Sequence, residues 1–247
     1  MPSTPHLFYQ PKVKLSGKAS RLLGFEGLFR SVRSSGEAIA PSRLSSRQRA
    51  QLESSGHFLW SLEAATRFME VLGASSSLTI NLNLPGHLLE QSHFTQRVLQ
   101  WHHAHHLHAH RIVIEILETS VIRDVERAAF HLTRLRQAGF RIALDDFGIG
   151  HSDLSNLRQL PIDIVKIDTA LVTAASGRDS ERDFLEGLMN LLHGLGKKVI
   201  LEGIESEASL ALARDLGAHG LQGYYFGHPM PPHQASRYPL TQPLPSS

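Results

Sequence analysis

The chain has 247 residues, with 25 Lys and Arg against 23 Asp and Glu, a formal net charge of +2, 16 His and no Cys. This length holds one large domain or two small ones, and 41% hydrophobic with 19% charged residues excludes a disordered chain. The lack of cysteine excludes a disulfide framework, a thiol nucleophile, an iron–sulfur cluster and a thiolate zinc site, and the near-balanced charge gives little support to binding a nucleic-acid polymer. No stretch approaches the ~18 consecutive apolar residues of a membrane span. Met1 to Lys14 lacks the charged cap and apolar run of a secretory signal, so a soluble, cytoplasmic protein with no membrane partner is expected.

The predicted elements alternate. Leu7 to Val13 and Leu22 to Phe29 read as strands joined through a turn at Ser16-Gly17, an opening hairpin. His57 to Leu72 reads as a helix, since Phe58, Leu62, Ala65, Met69 and Leu72 recur at spacings of three or four. A strand at Leu78 to Leu82 and a helix from Gly86 to Ala104 come next. The strand Ile112 to Ile116 is followed by a helix from Asp124 to Ala138, stopped by Gly139. Arg141 to Leu144 is a strand that leads into a glycine-containing loop and a short helix ending near Pro161. Then follow the strand Ile162 to Ile167, the helix Arg182 to Leu195, the strand Lys198 to Leu201, the helix Glu205 to Leu216 and a last strand, Gly220 to Phe226. Several strands are apolar throughout, as expected when both faces are covered. Eight strands with return helices predict an α/β fold, a modified (β/α)8 TIM-type barrel whose opening strand is antiparallel. Residues 1–232 read as one domain. Residues 233–247 read as a Pro-rich, weakly ordered tail, because His228 to Ser247 holds six of the twelve prolines.

Polar residues recur where these strands end: Glu26, Asn81, Glu115, Asp145 with Asp146, Lys166, Glu202 and Gln222. Strand C-terminal ends of a barrel converge on one face, so residues 20 to 55 positions apart would share one mouth. Five carboxylates and an amide together repel at low effective dielectric, and divalent metal is the natural compensation. All-oxygen donors select hard cations such as Mg2+ or Mn2+. Adjacent Asp145 and Asp146 can serve two ions, the standard device for phosphodiester hydrolysis. Composition and spacing alone leave the phosphodiester unnamed.

In order along the chain, Tyr9-Gln10-Pro11, Glu26-Gly27-Leu28-Phe29-Arg30, Asn81-Leu82-Asn83 and Glu115-Ile116-Leu117-Glu118 are followed by Asp145-Asp146-Phe147-Gly148-Ile149-Gly150, Val165-Lys166-Ile167-Asp168, Glu202-Gly203-Ile204-Glu205 and Gln222-Gly223-Tyr224. This ordered set resembles the EAL-domain cyclic di-GMP phosphodiesterases over about residues 7 to 232. The resemblance implies hydrolysis of cyclic di-GMP to linear pGpG with two Mg2+ or Mn2+ ions, lowering a second messenger tied to biofilm and motility. It implies a metal shell of Glu26, Asn81, Glu115, Asp145, Asp146 and Glu202. Lys166 and Gln222 would position water, and Gln10, Leu28, Arg30 and Asp168 would hold substrate. Glu118 would anchor the loop after Asp145-Asp146, and a homodimer is the implied partner. The alternative within the family is a weak or inactive module that binds cyclic di-GMP or a protein.

This chain departs from the pattern at Gly27, where Ala is usual, at Asn83, where Ser is usual, and in the loop at Ile149, His151 and Asp153. The metal shell is complete, so catalytic competence with altered loop regulation is expected. A run from His102 to His110 carries six His, and His102 with His106 stand four apart, a spacing that can bind Zn2+. It precedes a strand and so belongs to the face opposite the mouth, where a solvated helix end is expected. Arg43, Arg47 and Arg49 lack the interleaved aromatics of a nucleic-acid surface.

Overall fold

The structure is a computed structural model and describes residues 3–73, 76–105, 108–117, 122–148 and 154–244. Its strands are β1 (Ser3–Ser16), β2 (Ala19–Arg33), β3 (Ala38–Ile39), β4 (Thr79–Asn83), β5 (Ile112–Leu117), β6 (Arg141–Phe147), β7 (Ile164–Ile167), β8 (Lys198–Leu201), β9 (Gly220–Gln222) and β10 (Thr241–Pro243). The helices are α1 (Ser46–Leu52), α2 (Ser55–Leu72), α3 (Phe94–Ala104), α4 (Val125–Gln137), α5 (Leu154–Gln159), α6 (Thr169–Gly177), α7 (Asp179–Gly194), α8 (Glu207–Asp215) and α9 (Pro232–Ala235).

Eight strands close a barrel in the order β1-β9-β8-β7-β6-β5-β4-β2, with β2 returning to β1. β1 is antiparallel to both its neighbours, and the other contacts round the barrel are parallel. This is the expected modified barrel. Apolar side chains of β4 to β8, such as Ile80, Ile114, Ile142, Val165 and Val199, are fully buried beneath the helices. A bulge lets β2 bend into the barrel: Lys12 faces Gly24 and Val13 faces Leu22, so Leu23 has no partner on β1. Gly24 is required there, since a Cβ would lie 2.0 Å from the Thr79 carbonyl oxygen.

Three expectations about elements change. The helix expected over Gly86 to Ala104 is a 3-10 turn, Gly86–Glu90, and then α3. The last expected strand shortens to Gly220–Gln222, because Gly223 approaches the Ile204 backbone too closely for a side chain and the chain turns. The Pro-rich end is docked as far as Leu244. β10 pairs antiparallel with Ala19, Ser20 and Arg21 of β2, below the reach of β4. The Tyr238 ring meets Phe25 edge-on at 6.1 Å, and its hydroxyl donates to the Phe226 carbonyl at 2.9 Å. Unpaired β2 backbone and a buried aromatic anchor outweigh the disorder that proline content suggests. No described helix is long and apolar enough to cross a membrane.

Candidate functional site

The mouth of the barrel is a cavity of about 900 Å3. Glu26, Asp145, Asp146, Lys166, Glu202 and Gln222 line its floor, and Gln10, Leu28 and Arg30 stand around it. Asn81 and Glu115 lie directly beneath, with no exposed surface. Parallel pairing sets this convergence: Glu26 is level with Asn81, and Asn83 with Glu115. Gln10 comes from the antiparallel strand, level with Glu26.

The acids form two groups that share Asp145. One carboxylate oxygen from each of Glu26, Glu115 and Asp145 lies within 4.8 Å of the others, and the same holds for Asp145, Asp146 and Glu202. Asn81 joins the first group by donating from Nδ2 to Glu115 Oε1 at 2.5 Å. The second Glu115 oxygen, Oε2, is buried without a hydrogen-bond partner. An orphaned carboxylate oxygen inside an all-oxygen cluster fits a hard divalent cation. Asp146 has φ 55°, the one non-glycine residue with positive φ among those described. This turn presents both adjacent carboxylates to the same cup, and it is local strain stored at the site.

Lys166 is fully buried among four carboxylates. Its ammonium lies 2.8 Å from Asp145, 2.8 Å from Glu202, 3.1 Å from Glu115 and 3.2 Å from Glu26. Burial opposes its charge, but these acids win and hold the ammonium well above its ordinary value. Gln222 Nε2 donates to Glu26 at 2.6 Å and to Gln10 Oε1 at 3.3 Å, while Gln10 donates to the Gly227 carbonyl at 3.2 Å. Asn83 donates to the other Glu26 oxygen at 3.2 Å, so the residue that departs from the usual Ser touches the site directly. Arg30 is half-buried at the rim and donates to the Phe29 carbonyl at 2.7 Å. Asp168 caps α6, accepting from Ala170 N–H at 2.6 Å, and does not line the cavity.

Burial pushes the Glu115 and Glu202 carboxyls up to about 8, against the pull of Lys166. It pushes Asp146 up to about 6, helped by the Asp145 charge, and also raises Asp145. Glu26 goes the other way. Burial raises it, but Lys166 and the Gln222 hydrogen bond outweigh that and hold it below its ordinary value. The cup thus holds more acid than its cations can balance, and it takes up protons instead.

Lys12 escaped the sequence reading. It is buried, its ammonium donates to Asn81 Oδ1, and burial lowers it to about 8. The signal was available: Gln10 and Lys12 stand two apart on one strand and therefore share its inner face.

The sequence profile of the EAL domain family matches residues 4–229. The chain belongs to the EAL domain family. It is 28% identical to the cyclic di-GMP phosphodiesterase PA2567 of Pseudomonas aeruginosa over 230 residues, 93% of this chain and 39% of that protein. It is likewise 28% identical to MucR of the same organism, a bifunctional diguanylate cyclase and cyclic di-GMP phosphodiesterase, over 92% of this chain and 33% of that one. It therefore spans well under half the length of these two relatives. The structure of the MucR phosphodiesterase in complex with c-di-GMP superposes with a TM-score of 0.80 at 28% identity, covering 93% of both chains. An EAL domain protein of Listeria monocytogenes gives 0.83 at 29% identity, covering 94% of this chain and 91% of that one. The name-giving triplet is Glu26-Gly27-Leu28 here, on the β2 segment that lines the mouth.

Glu118, Ile149, His151 and Asp153 lie outside the described residues, as does His106 of the His-rich run. Of the remaining His, His105 stacks on Trp101 at 4.3 Å and His102 meets Phe140 edge-on at 5.7 Å. Among the described residues, no His joins a group spaced to hold a metal.

Proposed function

We propose that this EAL domain is a metal-dependent phosphodiesterase that hydrolyses cyclic di-GMP to linear pGpG. The observation that carries this reading is the pair of carboxylate groups sharing Asp145 at the floor of a 900 Å3 mouth. Mg2+ or Mn2+ bound there would supply an activated water and neutralise charge on the phosphoryl oxygens. Glu26, Asn81, Glu115 and Asp145 would hold one ion, and Asp145, Asp146 and Glu202 the other.

The chain's own groups divide the remaining work. Lys166 keeps its proton and fixes a positive charge beside Asp145 and Glu202, where a water or phosphoryl oxygen can be steadied. Gln222 orients the Glu26 carboxylate with one N–H, and its buried Oε1 has no partner and is left to accept from a water. Arg30 stands at the rim beside Leu28 and would take a phosphate oxygen through its guanidinium fork. Gln10 is held by Gly227 and offers its Oε1 to Gln222, tying the opening strand to the catalytic group. Homodimerisation belongs to the same proposal, on family resemblance.

The direct test is chromatography of cyclic di-GMP incubated with the purified protein and Mn2+ or Mg2+. The expected product is pGpG, abolished by Glu26→Gln. Metal-loaded protein that binds cyclic di-GMP without converting it would instead establish the binding-module alternative.

A further inference from the structure

The end of the barrel opposite the mouth carries a second cavity, of about 240 Å3. The first residues of the parallel strands form its wall, including Arg141 of β6, Lys198 of β8 and Gly220 of β9. The descending end of β1 adds Lys12 and Lys14, and His219 completes the ring. No carboxylate lines this cavity among the described residues. Lys14, Arg141 and Lys198 make no ion pair with any described residue.

The surroundings sharpen the imbalance. A depression of about 350 Å3 adjoins the cavity, shares Arg141 and Lys198, and adds Arg136 and Lys197. Its one acid, Asp163, is already committed: it accepts from Arg136 at 2.7 and 3.2 Å and from the Ile142 N–H at 2.9 Å. The His219 imidazole is held below its ordinary value by burial and then by the nearby His193, Lys198 and Lys14. Cations converging on a concave space without counter-charge are a costly arrangement that a bound anion relieves. Ordinary surface lysines avoid that cost by spreading apart.

We propose that the barrel floor is a binding site for a small multivalent anion of the phosphate type, with the size and charge of pyrophosphate. An arginine fork can engage two oxygens of one phosphoryl group, and lysines can neutralise the remainder as point charges. The small volume favours a small molecule over a polymer, and no Phe, Tyr or Trp lines the cavity to stack on bases. The cavity meets the underside of the acid cup at Lys12 and Asn81, which both line it, and the carboxylates of the cup lie beyond them, with the Lys12 ammonium turned up to Asn81.

The test is calorimetric titration of pyrophosphate into the full chain with a chelator present, so that no divalent ion can bridge pyrophosphate to the acid cup. Saturable binding of one anion per chain is expected, with movement of the His219 ring signals in NMR spectra. Combined Arg141→Ala and Lys198→Ala should weaken binding at least about tenfold. Lys14→Ala, at an exposed strand end where folding is not at risk, should weaken it as well. Asp146→Asn, in the cup, should leave the affinity unchanged. No saturable binding, or binding that ignores all three floor substitutions, overturns the proposal. So does binding of duplex DNA that these substitutions abolish, if pyrophosphate does not bind.

Discussion

Loading the acid cup with divalent metal should expel protons, and their number follows from the geometry. Glu115 belongs to one candidate ion group and Glu202 to the other, and burial pushes each up to about 8. A carboxyl with that value is about 90% protonated at pH 7, and metal requires it ionised. Each ion therefore displaces about one proton at pH 7, close to two in all. Lys12, lowered to about 8 and facing the same cup, can only add to that count. By pH 9 the same two carboxyls are about 10% protonated, and their release falls to roughly 0.2 protons. Apparent affinity for each Mn2+ ion should rise about tenfold per pH unit near pH 6.5, about a hundredfold for the pair together, and level off above pH 9. Titration calorimetry in two buffers of different ionisation enthalpy counts the protons at each pH. Glu115→Gln should remove about one. Release well under one proton at pH 7, or a count that does not fall by pH 9, would refute the argument that buried, over-crowded carboxylates hold protons in metal's place.

Other predictions rest on the same residues. Native Glu115 and Glu202 keep protons between about pH 5 and pH 8 that the unfolded chain has released, so metal-free protein should lose stability as pH rises through that window. Melting in chelator should show a lower Tm at pH 8 than at pH 5.5, with Mn2+ restoring it at pH 8; a Tm that climbs with pH contradicts the sign. Asp146→Asn should cut turnover at least about a hundredfold while keeping the fold, since Asn tolerates φ 55°. Asp146→Ala should lose about 1 kcal/mol of stability as well, read by urea denaturation. Lys166→Met strips the counter-charge from four buried carboxylates and should cost about 3–5 kcal/mol in chelator, less with Mn2+ present. Gly27→Ala places a Cβ 3.0 Å from the Leu82 methyl end, which can rotate away, so stability should change by less than about 1 kcal/mol and turnover by only a few-fold.

What could be read along the chain and what could not divide on physical lines. A parallel barrel strand is an apolar run with polar residues toward its far end, so Glu26, Asn81, Glu115, Asp145, Asp146, Lys166, Glu202 and Gln222 all stand out in the sequence, and the fold gathers them at or just under one mouth. The mutual distances that make Lys166 the hub of four carboxylates are set by barrel closure and leave no local trace. α6 was missed because Thr169–Gly177 is apolar and small all round and shows no stripe of period 3.6. An Asp before such a run is a helix cap by its chemistry, and Asp168 caps α6 in the fold. Proline misled at the C-terminal end: Pro232 opens α9, and Pro243 sits on the outer strand β10, two places that tolerate it.

The antiparallel opening strand explains the placement of three polar residues at successive levels along the barrel axis. Running from mouth to floor, β1 turns Gln10 and then Lys12 inward at successively lower levels, and ends with Lys14 at the floor. A parallel strand delivers its polar side chain to the mouth only where it ends, because everything before that point is packed in the core. β1 instead enters polar and stays polar on its inner face. Gln10 reaches Gln222, Lys12 supports Asn81 from below, and Lys14 helps charge the opposite opening. The acidic end and the basic end of the barrel are therefore joined by one strand, and Lys12 lines the floor cavity while its ammonium donates upward to Asn81 of the cup. Lys12→Met separates the two ends: it should loosen Asn81 and weaken Mn2+ binding at the cup, while the cations of Arg141 and Lys198 keep the floor competent for pyrophosphate. Loss of pyrophosphate binding with unchanged Mn2+ affinity in that variant would reverse this assignment of Lys12.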